Sequence, residues 1–230
     1  MATAEHRVLI VGTGTEIGKT HAAVALVSAF VQRGLIALGL KPIESGVHVS
    51  LPDSARLALV SSSSPSPPPY AFADPVSPHL AARRAGTSIQ LDVVAEWVAT
   101  HTADVLVIET AGGLFSPLSD SLTNLDLVRR LAPRSILLVA VDRLGVLHDL
   151  RACLTAMRSL APELPLPGVV LQPPATPDSS TGTNAQEIER LGIARVVAVF
   201  ARSEPDSPVY QSEARRLSRV LVPEVAHKMP

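Results

Sequence analysis

The sequence has little cysteine, no excess of charge of either sign and no long apolar run. The single cysteine, Cys153, excludes an internal disulfide framework and is typical of a protein from a reducing compartment. The formal net charge of −1 gives no reason to expect nucleic acid or an anionic membrane as a partner. No apolar run approaches the ~20 residues of a membrane span, and Met1–Arg7 lacks the layout of a secretion signal. We therefore expect a cytoplasmic location and no membrane partner.

The sequence predicts buried strands and helices that alternate along the chain. Short apolar runs at 8–11, 104–108 and 135–141 have the composition of strands that are covered on both faces, as in a parallel sheet. Apolar periodicity between them predicts helices, and 230 residues fit one domain that spans 1–230. The Ser/Pro-rich stretch 61–69 lacks core-forming residues and is predicted to be a surface loop. The predicted fold is α/β, a doubly wound and mainly parallel sheet with helices on both faces.

The stretch from Val8 to Thr20 predicts a phosphate-binding unit. A buried strand leads into Gly12-Thr-Gly-Thr-Glu-Ile-Gly-Lys-Thr20 and then into a long apolar helix. Backbone N–H groups of such a loop attract phosphate oxygens, Lys19 can reach the β and γ oxygens, and the Thr20 hydroxyl can ligate Mg²⁺. Thr13 stands where the usual pattern has its first glycine. The alternative is a tight strand-to-helix turn that happens to contain Lys-Thr.

Three polar residues are further candidates for a binding site, two at predicted strand ends and one at the start of a predicted helix. Lys41 follows the second strand and Glu109 ends a buried strand, where ligands of open α/β sheets bind. A carboxylate at the position of Glu109 commonly serves Mg²⁺ or its waters. The alternatives are a solvated lysine and a solvated carboxylate. Asp53 begins a short helix at 54–60, and by itself it predicts an N-cap.

Four separated motifs together resemble dethiobiotin synthetase, the ATP-dependent ring-closing enzyme of biotin synthesis. They cover roughly residues 8 to 172, and an aspartate at Asp53 also fits the family pattern. The motifs are Gly12-Thr-Gly-Thr-Glu-Ile-Gly-Lys-Thr20, Leu40-Lys-Pro-Ile-Glu-Ser-Gly46, Phe72-Ala-Asp-Pro-Val-Ser-Pro-His-Leu-Ala-Ala82 and Glu109-Thr-Ala-Gly-Gly-Leu-Phe-Ser-Pro-Leu-Ser-Asp120.

The resemblance implies a fold like that of P-loop NTPases, a homodimer, ATP and Mg²⁺ as cofactors, and 7,8-diaminononanoate and CO₂ as substrates. The reaction it implies runs through a carbamate and a carbamic-phosphoric anhydride to dethiobiotin, ADP and phosphate. The implied catalytic residues are Lys41, Lys19, Ser45 and Thr15, and the implied metal ligands are Thr20, Asp53 and Glu109. The implied ATP-binding residues are Gly14, Thr15, Glu16, Ile17, Gly18, Lys19, Thr20, Glu109 and Gln172, and the implied substrate-binding residues are Lys41, Ser45, Gly112, Gly113 and His148.

The chain departs from the family pattern at four positions. Gly14 stands where relatives often carry Asp, and Thr110 replaces a usual glycine. The helix start that binds the substrate's carboxylate tail across the dimer is Gly-x-x-Asn in the family and ends here in His148. Gln172 replaces the asparagine often used to read adenine. The last two departures concern the residues that select the substrate tail and the base, while the implied catalytic residues match the family pattern.

Other functions are compatible with parts of the pattern. A partitioning or septum-positioning ATPase shares the loop but carries a second lysine at the position of Gly14 and a glycine at that of Glu16. A cobyrinate-type amide synthetase usually needs a glutaminase domain, for which no room remains. A degenerate homologue with a binding or assembly role is the third alternative.

Overall fold

The computed structural model describes residues 6–49, 51–204 and 207–223. Most of Met1–Arg7, considered above for a secretion signal, lies outside the described residues. The strands run over His6–Gly12 (β1), Ala37–Leu40 (β2), Ile43–Ser45 (β3), Tyr70–Phe72 (β4), Val105–Glu109 (β5), Ser135–Val141 (β6), Gly168–Gln172 (β7) and Val196–Val199 (β8). The helices run over Lys19–Gln32 (α1), Asp53–Val60 (α2), Pro78–Arg84 (α3), Leu91–Ala99 (α4), Asn124–Leu131 (α5), Val146–Leu160 (α6), Asn184–Arg190 (α7) and Pro208–Leu221 (α8).

The main sheet is parallel throughout, in the order β2-β5-β1-β6-β7-β8. Its central strand β1 is almost wholly buried because both faces are covered, which explains the unbroken apolar run at 8–11. The carboxyl ends of β1, β2 and β5 lie side by side, so the residues that follow them meet at one edge. Strands β3 and β4 form a separate parallel pair beside that edge.

Helices cover both faces of the sheet, as the sequence predicted. One core cluster joins α1, α2 and α8 to the sheet, with Phe30, Leu57 and Leu217 among its buried members. The other cluster lies on the opposite face and contains residues of α3, α4, α5, α6 and α7. Cys153 packs against this second cluster at intermediate exposure. Among the described residues, no helix combines the length and the apolar character that a membrane crossing requires.

Three local predictions need correction. Asp53 does not cap α2, because Pro52 holds the N-cap position and the Asp53 carboxylate faces Lys41 instead. The apolar pattern at 213–222 predicts the last helix, but α8 begins earlier, at Pro208, since Ser207 caps it and accepts a hydrogen bond from the Tyr210 N–H. No helix is predicted from the sequence at α5, whose eight residues give only a short periodic signal.

The Ser/Pro-rich loop lies against β2, which is an edge strand of the main sheet. Ser62 Oγ accepts the Ala37 N–H at 3.0 Å, and Ser61 Oγ accepts the Gly39 N–H at 2.9 Å. The Ser62 N–H in turn donates to the Ala37 carbonyl at 2.9 Å. The loop therefore satisfies polar groups that an edge strand otherwise leaves unpaired.

Candidate functional site

The loop between β1 and α1 brings backbone N–H groups and the amino terminus of α1 to one end of the sheet. It turns into the helix at Gly18, whose φ of 83° is a left-handed conformation that favours glycine. A Cβ at Gly18 would also lie 2.9 Å from Cγ of Gln172, so space as well as backbone angle requires glycine here. The carboxyl ends of β2, β5 and β7 surround the same loop. This arrangement suits an anion such as a phosphate.

Lys19 is the first residue of α1 and lies beneath the loop. Its side chain is buried, and Nζ donates to the carbonyl of Gly14 at 2.9 Å. Burial lowers the pKa of Lys19 to about 8, with Lys41 acting in the same direction and Glu109 and Asp53 opposing it. The ammonium is therefore poorly compensated within the protein.

Lys41 lies between two carboxylates. Its Nζ is 2.6 Å from Oδ2 of Asp53 and 2.7 Å from Oε1 of Glu109, and its side chain is 7% exposed. Burial acts to lower the pKa of Lys41, but the charges and hydrogen bonds of Glu109 and Asp53 outweigh it and hold the pKa above its ordinary value. The same contact keeps the pKa of Asp53 low against the opposing effect of burial. Lys41 is therefore a fixed positive charge and not a solvated strand end.

Glu109 ends β5 and is 1% exposed. Its Oε1 accepts the Thr20 hydroxyl at 2.9 Å as well as Lys41 Nζ. Its Oε2 is buried and has no hydrogen-bond partner among the described residues. Such an atom is costly unless a ligand satisfies it. Glu109 is thus not a carboxylate merely solvated at a strand end.

The three predicted metal ligands meet around one point. Thr20, Asp53 and Glu109 come from α1, α2 and β5, and Lys41 Nζ lies between the two carboxylates. Within the described ranges, no group of three His, Cys, Asp or Glu side chains forms a cage for a metal ion. Two carboxylates and a hydroxyl nevertheless match the way Mg²⁺ is held when substrate phosphates supply further oxygens.

An open cleft of about 970 Å³ joins these groups. Its walls come from the phosphate loop, the ends of β2, β5 and β7, the start of α2 and the segments after β7 and β8. The predicted site residues that line it are Thr15, Glu16, Ile17, Gly18, Lys19, Thr20, Lys41, Ser45, Asp53, Glu109, Gly112 and Gln172.

Three predicted site residues are not part of the cleft wall. Gly14 and Gly113 pack against each other, and a Cβ on Gly113 would lie 3.3 Å from the Gly14 backbone nitrogen. Both glycines therefore allow the loop after β1 and the loop after β5 to pack closely, without lining the cleft. His148 is exposed on the first turn of α6 and does not reach the cleft of its own chain. A role for His148 across a dimer stays a prediction.

Gln172, at the end of β7, is 4% exposed. Its Nε2 donates to the Gly18 carbonyl at 3.1 Å. The Tyr210 hydroxyl lies 2.8 Å from Nε2 and 3.1 Å from Oε1 of the same Gln172 amide. Tyr210 in turn stacks on Phe200 with ring centroids 4.1 Å apart. The Gln172 amide thus connects the end of β7 and helix α8 to the loop between β1 and α1.

Asn124, Tyr210 and Glu44 support the site but are not predicted from the sequence. Asn124 is fully buried and donates through Nδ2 to the carbonyls of Ala111 and Gly113, which fixes the loop after Glu109. The N–H of Thr123 donates to Asp126 in a capping box, a Thr-x-x-Asp signal that predicts the start of α5. Tyr210 follows the Ser207-Pro208 helix start, and Glu44 lies inside the second family motif. Asn124 and Glu44 bond to residues 9 to 13 positions away and Tyr210 to a residue 38 positions away, so none of these contacts has the spacing of a local helix or turn motif.

The fold and the loop define a class of protein, the α/β nucleotide-binding proteins with a phosphate loop after the first strand. Solved structures agree. A chain of the MinC:MinD cell division protein complex from Aquifex aeolicus has a TM-score of 0.61, 11% identity and 98% coverage of both chains. MinD of Pyrococcus horikoshii complexed with Mg-ADP has a TM-score of 0.60, 13% identity and coverage of 95% of this chain and 96% of that one. At such identities the likeness concerns the fold alone.

Sequence relatives define the family. Residues 6–205 match the family model described as an AAA domain. An ATP-dependent dethiobiotin synthetase BioD of Nitrosospira multiformis is 38% identical over 70% of this chain and 73% of its own. The BioD protein of Anaeromyxobacter dehalogenans is 35% identical over 94% of this chain and 97% of its own. The chain belongs to the AAA-domain family and to the family of ATP-dependent dethiobiotin synthetases.

Proposed function

We propose that this chain catalyses ATP-dependent formation of a cyclic urea from 7,8-diaminononanoate and CO₂, which yields dethiobiotin, ADP and phosphate. The observation that carries the proposal is the buried Lys41 ammonium, held between Asp53 and Glu109 next to the phosphate loop. A fixed cation beside a triphosphate site suits a reaction in which an anionic carbamate attacks a phosphoryl group.

The proposed reaction needs charge stabilisation more than a protein nucleophile. One amine of the diamine adds to CO₂ and loses a proton, which gives a carbamate. A carbamate oxygen attacks the γ-phosphorus of ATP, ADP leaves, and a carbamic-phosphoric anhydride forms. The second amine attacks the carbonyl carbon, loses its proton and releases phosphate. Lys41 and Lys19 offset the negative charge that gathers on carbamate and phosphoryl oxygens, and both are held in place before the substrates arrive.

We propose that Thr20, Asp53 and Glu109 hold Mg²⁺. The unpartnered Oε2 of Glu109 supports this assignment, because a buried carboxylate oxygen needs a cation or a donor. Bound Mg²⁺ supplies positive charge against the phosphate oxygens of ATP. Thr20 presents its hydroxyl from the first turn of α1, while Glu109 is held by the rigid end of β5.

The other predicted site residues receive roles by their positions around the cleft. Ser45 lines the cleft and donates through Oγ to the Val76 carbonyl at 2.7 Å. We assign Ser45 and Thr15 to the reacting carbamate and Gln172 to the base. The family resemblance assigns the phosphates to the loop Gly14, Thr15, Glu16, Ile17, Gly18, Lys19 and Thr20, and the substrate also to Gly112 and Gly113. Gly14 and Gly113 do not line the cleft, so their part in this assignment is to shape the loops that do.

We further propose that the protein acts as a homodimer in the cytoplasm, with small molecules alone as substrates. The family resemblance and the net charge of −1 support these statements. In a dimer, His148 of one copy is expected near the substrate tail in the other. Sedimentation of the purified protein at micromolar concentration tests the dimer, and a monomer that has full activity contradicts it.

The decisive experiment measures phosphate release from ATP with the diamine and bicarbonate added separately and together. The proposal requires release that depends on both, on Mg²⁺, and on formation of dethiobiotin detected by mass spectrometry. A Lys19→Ala variant serves as the control for contaminating ATPases. ATP hydrolysis that needs neither compound favours a septum-positioning type of ATPase, and no turnover at all favours a degenerate homologue. Either result overturns the proposal.

A further inference from the structure

Helix α2 begins without a cap from its own neighbourhood. The N-cap residue Pro52 has no side-chain acceptor, and no side-chain hydrogen bond from this position reaches the first turn. Asp53 has a suitable carboxylate, but its Oδ2 contacts Lys41 at 2.6 Å. The first N–H groups of a helix need acceptors, particularly where the helix packs against the protein. Another element must therefore supply them.

Glu44 of β3 supplies the missing acceptors. One carboxylate oxygen accepts the backbone N–H of Asp53, and the other accepts the Ser54 N–H at 3.3 Å and the Ser54 hydroxyl at 2.8 Å. Glu44 is only 4% exposed, so its charge is withdrawn from water. A buried carboxylate is tolerated where it accepts several hydrogen bonds, and a helix amino terminus adds a favourable electrostatic field.

Asp53 links the Glu44 contact to the side chains of Lys41 and Glu109. The backbone of Asp53 is held by Glu44, while its side chain contacts Lys41, which also contacts Glu109. Glu44 also borders the cleft, but both of its oxygens already have protein donors. Direct contact with substrate is therefore not the role that its hydrogen bonds indicate.

We propose that Glu44 is a positioning residue, which caps α2 from β3 and thereby holds the Asp53 carboxylate at Lys41 and the metal site. The inference rests on the proposed function for its catalytic consequence. It makes a separate structural claim that needs no substrate, namely that the first turn of α2 is stable only when Glu44 caps it.

The structural claim is tested by hydrogen–deuterium exchange of the protein without nucleotide or metal. Glu44→Ala is expected to speed exchange of the amides at 53–57 by at least about tenfold, because the cap is lost. Exchange in β1 and β6 should stay unchanged, which shows that the variant is folded. Glu44→Gln keeps one acceptor oxygen, so its amide exchange rates at 53–57 are expected to lie between those of the wild type and of Glu44→Ala. If the amides at 53–57 of the Glu44→Ala variant exchange at the wild-type rate, the proposal is overturned, whether or not the chain makes dethiobiotin.

The catalytic claim is tested by the Mg²⁺ dependence of phosphate release. Glu44→Ala is expected to raise the half-saturating Mg²⁺ concentration about 10- to 100-fold, the range found when the partner of a metal ligand is removed. The KM for the diamine should change less than about threefold. Ser54→Ala is the matched control, since it removes one donor to Glu44 but leaves the Asp53 N–H contact, and it should change little.

A double variant separates positioning from a general loss of stability. If Glu44 acts through Asp53, adding Glu44→Ala to Asp53→Asn should raise the half-saturating Mg²⁺ concentration less than about threefold further. The full rise expected for the single variant, repeated in the Asp53→Asn background, contradicts the proposal. A rise confined to the diamine KM also contradicts it and assigns Glu44 to substrate contact. If the wild type releases no diamine-dependent phosphate, the proposed function fails while the exchange experiment still decides the cap.

Discussion

The contacts of Lys41 combine stability and chemistry in one side chain. Lys41→Ala is expected to lower kcat by roughly 10²–10³, because its charge offsets negative charge that forms during phosphoryl transfer. ATP affinity should change little. Steady-state phosphate release and nucleotide titration measure the two effects. Lys41→Arg keeps a positive charge and should restore part of the rate. A Lys41→Ala enzyme that loses nucleotide binding but keeps its rate at saturation would place Lys41 in the ATP pocket instead.

Gln172 departs from the family pattern at the position assigned to the base. We expect ATP to be preferred over GTP by only about 10–100-fold in kcat/KM, because the Gln172 amide already contacts Gly18 and Tyr210 and has less hydrogen-bonding capacity left for the base. Gln172→Ala should lower that preference further. It should also weaken binding of both nucleotides, because Nε2 no longer holds the Gly18 carbonyl.

The Tyr210→Phe variant is the control for this prediction, because it removes a partner of Gln172 and leaves the amide in place. Competition kinetics with ATP and GTP give the preference in each variant. A preference above about 10⁴ that Gln172→Ala leaves untouched would show that another group reads the base.

At the scale of elements, the Ser/Pro-rich loop protects the edge of the sheet. Replacing Ser61 and Ser62 together by alanine leaves the buried N–H groups of Ala37 and Gly39 without their acceptors. The expected loss in free energy of unfolding is about 1–3 kcal/mol for each N–H that stays unpaired. The exposed edge should also promote association. Urea denaturation and light scattering measure both effects.

Ser63 and Ser64 provide the matched control in the same loop. Both are exposed, and neither contributes a hydrogen bond to β2 in the described structure. The Ser63→Ala/Ser64→Ala variant should therefore behave like the wild type. Equal losses in the two double variants would mean that loop composition matters and the edge contacts do not.

For the whole molecule, His6 links stability to pH. His6 is buried at the start of β1, and its Nε2 lies 3.0 Å from Oγ of Ser135 at the start of β6. Burial, with help from the charge of Arg134, lowers the pKa of His6 below 6.5 in the folded protein. Protonation therefore favours the unfolded chain. The stabilising contribution is complete above pH 6.5 and is lost as the pH falls towards the folded pKa.

Urea denaturation between pH 7.5 and pH 5.5 tests this expectation. The free energy of unfolding should fall as the pH is lowered. His6 contributes at most about 1.4 kcal/mol per pH unit to the slope of this dependence. His6→Gln keeps a hydrogen-bonding side chain without titrating, so its slope in this window should be smaller. Parallel slopes for the two proteins would assign the pH dependence to other groups.

We also expect 1–230 to unfold as one domain. Both core clusters share the strands of the main sheet, so neither face can be exposed without the other losing its support. Calorimetry should give a single transition whose van 't Hoff and calorimetric enthalpies agree. Two resolved transitions would divide the chain into separate domains.

Several features of this protein follow from local sequence patterns. Continuous apolar runs predict buried parallel strands, as at 8–11, and the glycines with Lys19 and Thr20 predict the phosphate loop. Parallel topology then brings Lys41 and Glu109 to one edge, because residues after neighbouring strands must lie together. The predicted strands and their parallel arrangement are confirmed, since each depends on neighbours in sequence or on a general rule of sheet architecture, whereas phosphate binding by the loop stays a prediction.

Other features were decided only by tertiary structure. Lys41 finds its partners 12 and 68 residues away, and Gln172 meets Tyr210 at a separation of 38 residues. Asp53 has the local signature of an N-cap, yet Glu44 takes over that role and leaves the Asp53 carboxylate to Lys41. The physical reason is competition. A polar side chain forms whichever contact best offsets its burial, and the donors and acceptors that compete for it are set by the packing of distant elements.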